Sequence, residues 1–196
     1  MKRISMIIIC TFLFLALSAC DSSSSDAASQ NEMPDIVFLY RYDGANYYSN
    51  DIWLIDKEGK VYNNIGDELK AVSDIEEEYQ KIQSNEKWTL VKQISLNELK
   101  IKYDVLKAIS ISTQNIIHDV EYYDDAIDGD KDWRGYCYDK KGNIIAVKLY
   151  ANGDSGYYNE DTRAEELADW MCDIMGIGKN DFGYYSNLRM NELEDY

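Results

Sequence analysis

The chain has 196 residues, with 36 Asp and Glu against 20 Lys and Arg and a formal charge of −16. So large an acidic excess argues against nucleic acid as a partner, because phosphate contacts are made with Lys and Arg. It also argues against a polybasic attachment to anionic lipid, while permitting calcium or a basic protein drawn in by the field.

Lys2 and Arg3 precede an apolar run from Met6 to Leu17, the layout of an export signal. The run is about 12 residues long, whereas a helix needs about 20 to cross the hydrocarbon core. Leu17, Ser18, Ala19 and Cys20 follow, and this stretch resembles the lipobox of bacterial lipoproteins. The resemblance covers residues 1–20 alone. It implies that the Cys20 thiol receives a diacylglyceryl group and that residues 1–19 are a signal peptide cut away before it. The mature chain would then sit in the cell envelope, lipid-anchored on the extracytoplasmic side of a bacterial membrane, since two acyl chains hold a protein stably. An ordinary secretory cut after Ala19 would put Leu17 where a small residue is wanted. Losing Lys2 and Arg3 leaves 18 basic against 36 acidic residues, a charge of −18.

Residues 20–34 form the lipidated cysteine and a tether: Asp21 to Pro34 has almost nothing apolar and reads as disordered. Residues 35–196 show no linker and are read as a single domain. Residues 35–42 are rich in β-branched and aromatic side chains and read as a strand. Residues 52–62 have a hairpin pattern around Gly59, and residues 133–150 a second one around Gly142 and Asn143. A helical period over residues 67–83 places Leu69, Val72, Ile75, Tyr79 and Ile82 on one stripe. Residues 88–92 are a candidate short strand. Ser95 with Glu98 is a capping-box pattern, opening a helix with Leu96, Leu99, Tyr103, Leu106 and Ile109 on one face. Residues 112–132 are polar and acidic and read as loop. Thr162 with Glu165 is a second capping box, opening a helix to about Met175 that Gly176 or Gly178 would stop. Hairpins plus separate helices point to an α+β fold, a mainly antiparallel sheet with about three helices packed on one face.

Chemistry is harder to place. The one histidine, His118, lies in an acidic context, and no nucleophile turn, zinc spacing or phosphate loop is present. No cofactor is expected beyond a calcium candidate, Asp128, Asp130 and Asp132, whose alternate carboxylates could turn oxygens onto one hard cation. Its match to an EF-hand loop fails at the sixth position, where Trp133 stands instead of Gly. With Cys10 in the signal and Cys20 acylated, Cys137 and Cys172 remain, as a disulfide or as two buried thiols. Seventeen tyrosines include four adjacent pairs in loop-like company, among them Tyr47–Tyr48 and Tyr157–Tyr158, which are candidate ligand contacts.

Three functions are compatible with these residues. The leading one is a membrane-anchored binding or interaction module for a protein or glycan ligand, without catalysis. The second is an immunity-type or inhibitor lipoprotein neutralising a basic toxin or enzyme. The third is a carboxylate-based cell-envelope hydrolase, which requires two facing carboxylates with at least one pKa raised.

Overall fold

The computed structural model describes residues 32–43, 50–65, 74–121, 130–152 and 155–177. The described residues form eight strands: β1 (Ile36–Asp43), β2 (Asn50–Asp56), β3 (Lys60–Ile65), β4 (Thr89–Gln93), β5 (Ile117–Glu121), β6 (Asp130–Tyr138), β7 (Ile144–Asn152) and β8 (Ser155–Asn159). Three helices accompany them, α1 (Ile75–Gln83), α2 (Leu96–Ser110) and α3 (Thr162–Met175). The strands make one antiparallel sheet in the order β4-β3-β2-β1-β6-β7-β8-β5. The fold class is α+β.

Side-chain alternation decides where the helices go. In β1, Val37, Phe38 and Tyr40 join one core cluster while Ile36 and Leu39 join another. The first cluster contains Leu99, Tyr103, Leu106 and Ile109 of α2 and Ala164, Leu167, Ala168 and Met171 of α3. The second contains Tyr79 and Ile82 of α1 against Ile52, Leu54 and Tyr136. Successive strand residues point to opposite faces, so α2 and α3 cover one face and α1 covers the other. This corrects the expectation of helices on one face only. The central strand β1 is a near-continuous apolar run because it is covered on both sides.

The helix ends are set by local chemistry. Asp74 caps α1, accepting from the Glu77 amide at 2.9 Å, and three acids in its first turn suit the helix dipole. Ser95 caps α2, accepting from the Glu98 amide at 3.1 Å. The Glu98 carboxylate does not turn back to close the box; it accepts from the Trp170 indole of α3 at 2.8 Å. The cap of α3 is Asp161 rather than Thr162, and its carboxylate also grips the Arg163 side chain at 2.6 and 2.8 Å. Gly176 ends α3 in the left-handed conformation, φ 73°. Gly135 lets α2 approach β6: a Cβ there would stand 2.5 and 2.6 Å from the two methyl carbons of Leu106.

Cys137 and Cys172 are both fully buried and are not joined in a disulfide. Cys137 lies on β6 beside Ser110 and Lys107 at the end of α2, whereas Cys172 belongs to α3. Burial pushes the Cys137 thiol up.

An aromatic row crosses the sheet on the α2/α3 face. Trp53, Tyr40, Trp133, Tyr150, Tyr158 and His118 are successive register partners on β2, β1, β6, β7, β8 and β5. Ring centroids are 4.8 Å apart for Tyr40 and Trp133, 5.6 Å for Trp133 and Tyr150, and 4.8 Å for Tyr158 and His118. Such cross-strand pairs are worth about 0.2–1 kcal/mol each, and this row fixes the register of most of the sheet.

Candidate functional site

The antiparallel order brings the ends of β1, β3, β5 and β7 and the starts of β2, β4, β6 and β8 to one end of the sheet. Two groups of polar and aromatic side chains converge there, one on each face.

On the α2/α3 face, just beyond the aromatic row, Tyr42 of β1 lies in register with Asp51 of β2 on one side and Lys131 of β6 on the other. Trp53 and Tyr42 are half-buried, each with part of its ring packed on the core. The Trp53 indole N–H donates to Asp51 Oδ2 at 3.1 Å, and Asn63 Nδ2 donates to Asp51 Oδ1 at 2.6 Å. Asn63 also reaches the Ile52 carbonyl at 3.4 Å. Lys131 places its ammonium 5.9 Å from the centre of the Tyr42 ring. Ile65, the register partner of Asp51, is 71 % exposed and forms an apolar rim. Two aromatic surfaces therefore flank a carboxylate and an amide whose orientations are fixed by hydrogen bonds.

On the α1 face, Glu78 is buried and bridges two guanidinium groups, Arg41 at 2.7 Å and Arg134 at 2.7 Å. Arg134 is also paired with Asp132, and the Tyr157 hydroxyl donates to the same Asp132 carboxylate. Burial drives the Tyr157 and Tyr136 phenols well above their usual range, so both stay protonated. Asp43 lies in register opposite Asp130. Burial is the largest cause of the raised Asp43 pKa; Asp130 and Glu78 push it further up, and Arg41 and Arg134 pull it down.

The residues singled out in the sequence fall differently. Tyr157 and Tyr158 are both buried and point to opposite faces, one to Asp132 and one to the aromatic row. They do not form a joint contact surface, because adjacent residues of a strand cannot. Asp132 is paired with Arg134 and accepts from the Tyr157 hydroxyl. Among the described residues, no three His, Cys, Asp or Glu are grouped to hold a metal ion. His118 stacks on Tyr158 and places Nε2 3.3 Å from Glu160 Oε2 at the edge of the sheet. Cys20, Tyr47, Tyr48 and Asp128 lie outside the described residues.

Sequence reading missed Arg41, Asp51, Trp53, Asn63, Glu78 and Arg134. One signal was available for Glu78: three residues after Ile75, it falls on the apolar stripe of its helix. Arg41, similarly, sits inside an apolar strand. No family model, curated protein or solved structure matches this chain.

Proposed function

We propose that this chain is a lipid-anchored binding module of the bacterial cell envelope, taking a protein or glycan ligand at the end of the sheet where Tyr42 and Trp53 lie. The observation that carries the reading is the half-buried Tyr42–Trp53 pair beside the hydrogen-bonded Asp51 and Asn63. Aromatic side chains supply large contact area at small entropic cost, and fixed polar groups supply direction. The lipobox at Leu17–Cys20 supports the anchor, and residues 21–34 support a tether that holds the domain off the bilayer.

Two measurements test this. Cys20→Ala abolishes palmitate labelling and processing, while wild-type chain that stays unlabelled and uncut refutes the anchor. Retention of the protein on cell-envelope fragments falls in Trp53→Phe and Asp51→Asn, and unchanged retention in both refutes the binding end.

The Asp43–Asp130 pair favours a second reading, the carboxylate hydrolase. Side chains directly opposite on antiparallel strands have Cβ atoms about 4.5–5.5 Å apart, and Asp43 is displaced toward its protonated form. Under this reading Asp43→Asn abolishes cleavage of envelope polysaccharide and Trp53→Phe only weakens it. A preparation that releases no product from such polysaccharide rules it out.

A further inference from the structure

We infer that the ligand taken at Tyr42, Asp51, Trp53 and Asn63 is an uncharged saccharide, an inference that rests on the binding reading above.

The polar groups at this end decide the ligand's hydrogen-bonding character. Both Asp51 oxygens already accept from protein donors, Trp53 Nε1 and Asn63 Nδ2. Each carboxylate oxygen has a second lone-pair site, so what Asp51 asks of a ligand is further donors. A carboxylate or phosphodiester group itself contributes none at neutral pH, whereas a sugar hydroxyl both donates and accepts. Charge points the same way. Asp51 and Lys131 flank Tyr42 and offset one another, while the chain as a whole stands at −16. An anion would approach against that field, and an uncharged ring is indifferent to it.

The apolar part of the patch completes the match. A pyranose has a C–H face that lies on aromatic rings and a hydroxyl edge that lies in the plane of Asp and Asn side chains. Trp53 is held by its own indole hydrogen bond, so its ring is oriented before a ligand arrives, and preorganisation of this kind lowers the cost of binding. Tyr42 stands one row beyond it on the neighbouring strand, because Tyr40 is the register partner of Trp53 and Tyr42 of Asp51. The exposed Ile65 beside Asp51 adds an apolar border.

The test uses the intact lipidated protein in detergent micelles, with its four tryptophan indoles labelled with nitrogen-15. Trp53→Phe assigns the Trp53 indole signal. Chitotetraose and cellotetraose are the neutral probes and tetragalacturonate is the acidic control. The expected result is a shift of the Trp53 indole with a neutral probe, unaffected by salt, with the acidic control silent. Asp51→Asn then weakens that binding about tenfold or more, as expected for loss of hydrogen bonds to a charged group. Circular dichroism confirms that the variants remain folded, and the shift itself is read on the wild-type protein, with Trp53→Phe used only for its assignment. A shift with tetragalacturonate equal to that with the neutral probes overturns the inference, as does movement confined to Trp88, Trp133 or Trp170. A silent Trp53 indole with both neutral probes overturns the saccharide too. If envelope retention then still depends on Trp53 and Asp51, the binding module stands with a protein ligand; if it does not, both readings fall.

Discussion

Replacing Glu78 with Gln tests whether the buried ion network holds α1 to the sheet. The Glu78 side chain is 3 % exposed and pairs with Arg41, itself 4 % exposed, and with Arg134. The substitution keeps the shape of the side chain and removes its charge. Arg134 retains Asp132. Arg41 is left facing Asp43, whose carboxyl is already displaced toward the protonated form. Removing one partner of a buried pair costs about 3–5 kcal/mol, because the remaining charge stays buried without compensation. Relief by Asp43 works in the opposite direction, so the expected cost lies at the lower end, about 3 kcal/mol. For a domain of this size about 1 kcal/mol moves Tm by about 2–4 °C, giving a fall of about 6–12 °C. Urea unfolding and thermal melts at pH 7 measure it, with Glu77→Gln as control. Glu77 is exposed on the same helix and should change stability by no more than about 0.5 kcal/mol. The same variant should lower the Asp43 pKa, because one of the negative charges that raises it is gone. A cost for Glu78→Gln below about 1 kcal/mol would refute the reasoning, since the two guanidinium groups would then have no need of their carboxylate.

Asp43→Asn should stabilise the protein at neutral pH. A carboxyl with a raised folded pKa weakens the fold as pH rises through its titration, so the gain should vanish in acid below pH 3.8, where Asp43 is protonated folded or unfolded. Gly135→Ala drives a methyl into fully buried Leu106 and should cost about 1–3 kcal/mol, and Leu106→Ala in the same chain should recover part of it in a double-mutant cycle. Asp161 is held down to about 2, chiefly by hydrogen bonds from Arg163. Asp161→Ala should therefore cost about 1–2 kcal/mol at neutral pH through the lost cap. That difference should fade as pH drops from 3.8 toward about 2, where the wild-type carboxylate protonates. Thiol titration of the native protein should find Cys137 and Cys172 unreactive, and denaturation without reductant should release both; no thiol on denaturation would restore the disulfide.

How much was legible depended on whether an element buries one face or meets charged neighbours. The stripes Leu99, Tyr103, Leu106 and Ile109 of α2 and Leu167, Ala168 and Met171 of α3 are buried as their spacing required. Leu96, placed on the same α2 stripe, is 57 % exposed because packing begins one turn later. β5 and β8 were missed. Ile-His-Asp-Val-Glu lies at the sheet edge, where one neighbour suffices and apolar content is low. Gly156, Tyr157, Tyr158 and Asn159 have loop-like composition, yet Asn159 pins the strand by donating to the Lys148 carbonyl at 2.8 Å and to Asn115 at 2.8 Å. β6 begins at Asp130, three residues before its apolar part. Those first charged residues belong to a strand because Asp132 stands opposite Arg41, and Lys131 stands opposite Tyr42, whose ring it overlies.

The two faces of the site are bound together by the pleat. Arg41 lies between Tyr40 and Tyr42 on β1, as Asp132 lies between Lys131 and Trp133 on β6. Slipping either strand by one residue would exchange the faces, putting guanidinium and carboxylate among the aromatic rings and indole among the charges. Each face therefore penalises the error that the other would suffer, and the register at this end is specified twice. That rigidity is what a recognition surface on a sheet end requires, because Trp53 and Asp51 keep their geometry only while β1, β2 and β3 keep theirs. Under the proposed binding reading, damage to the ionic row, as in Glu78→Gln, should loosen ligand binding on the opposite face without removing a single contact to the ligand.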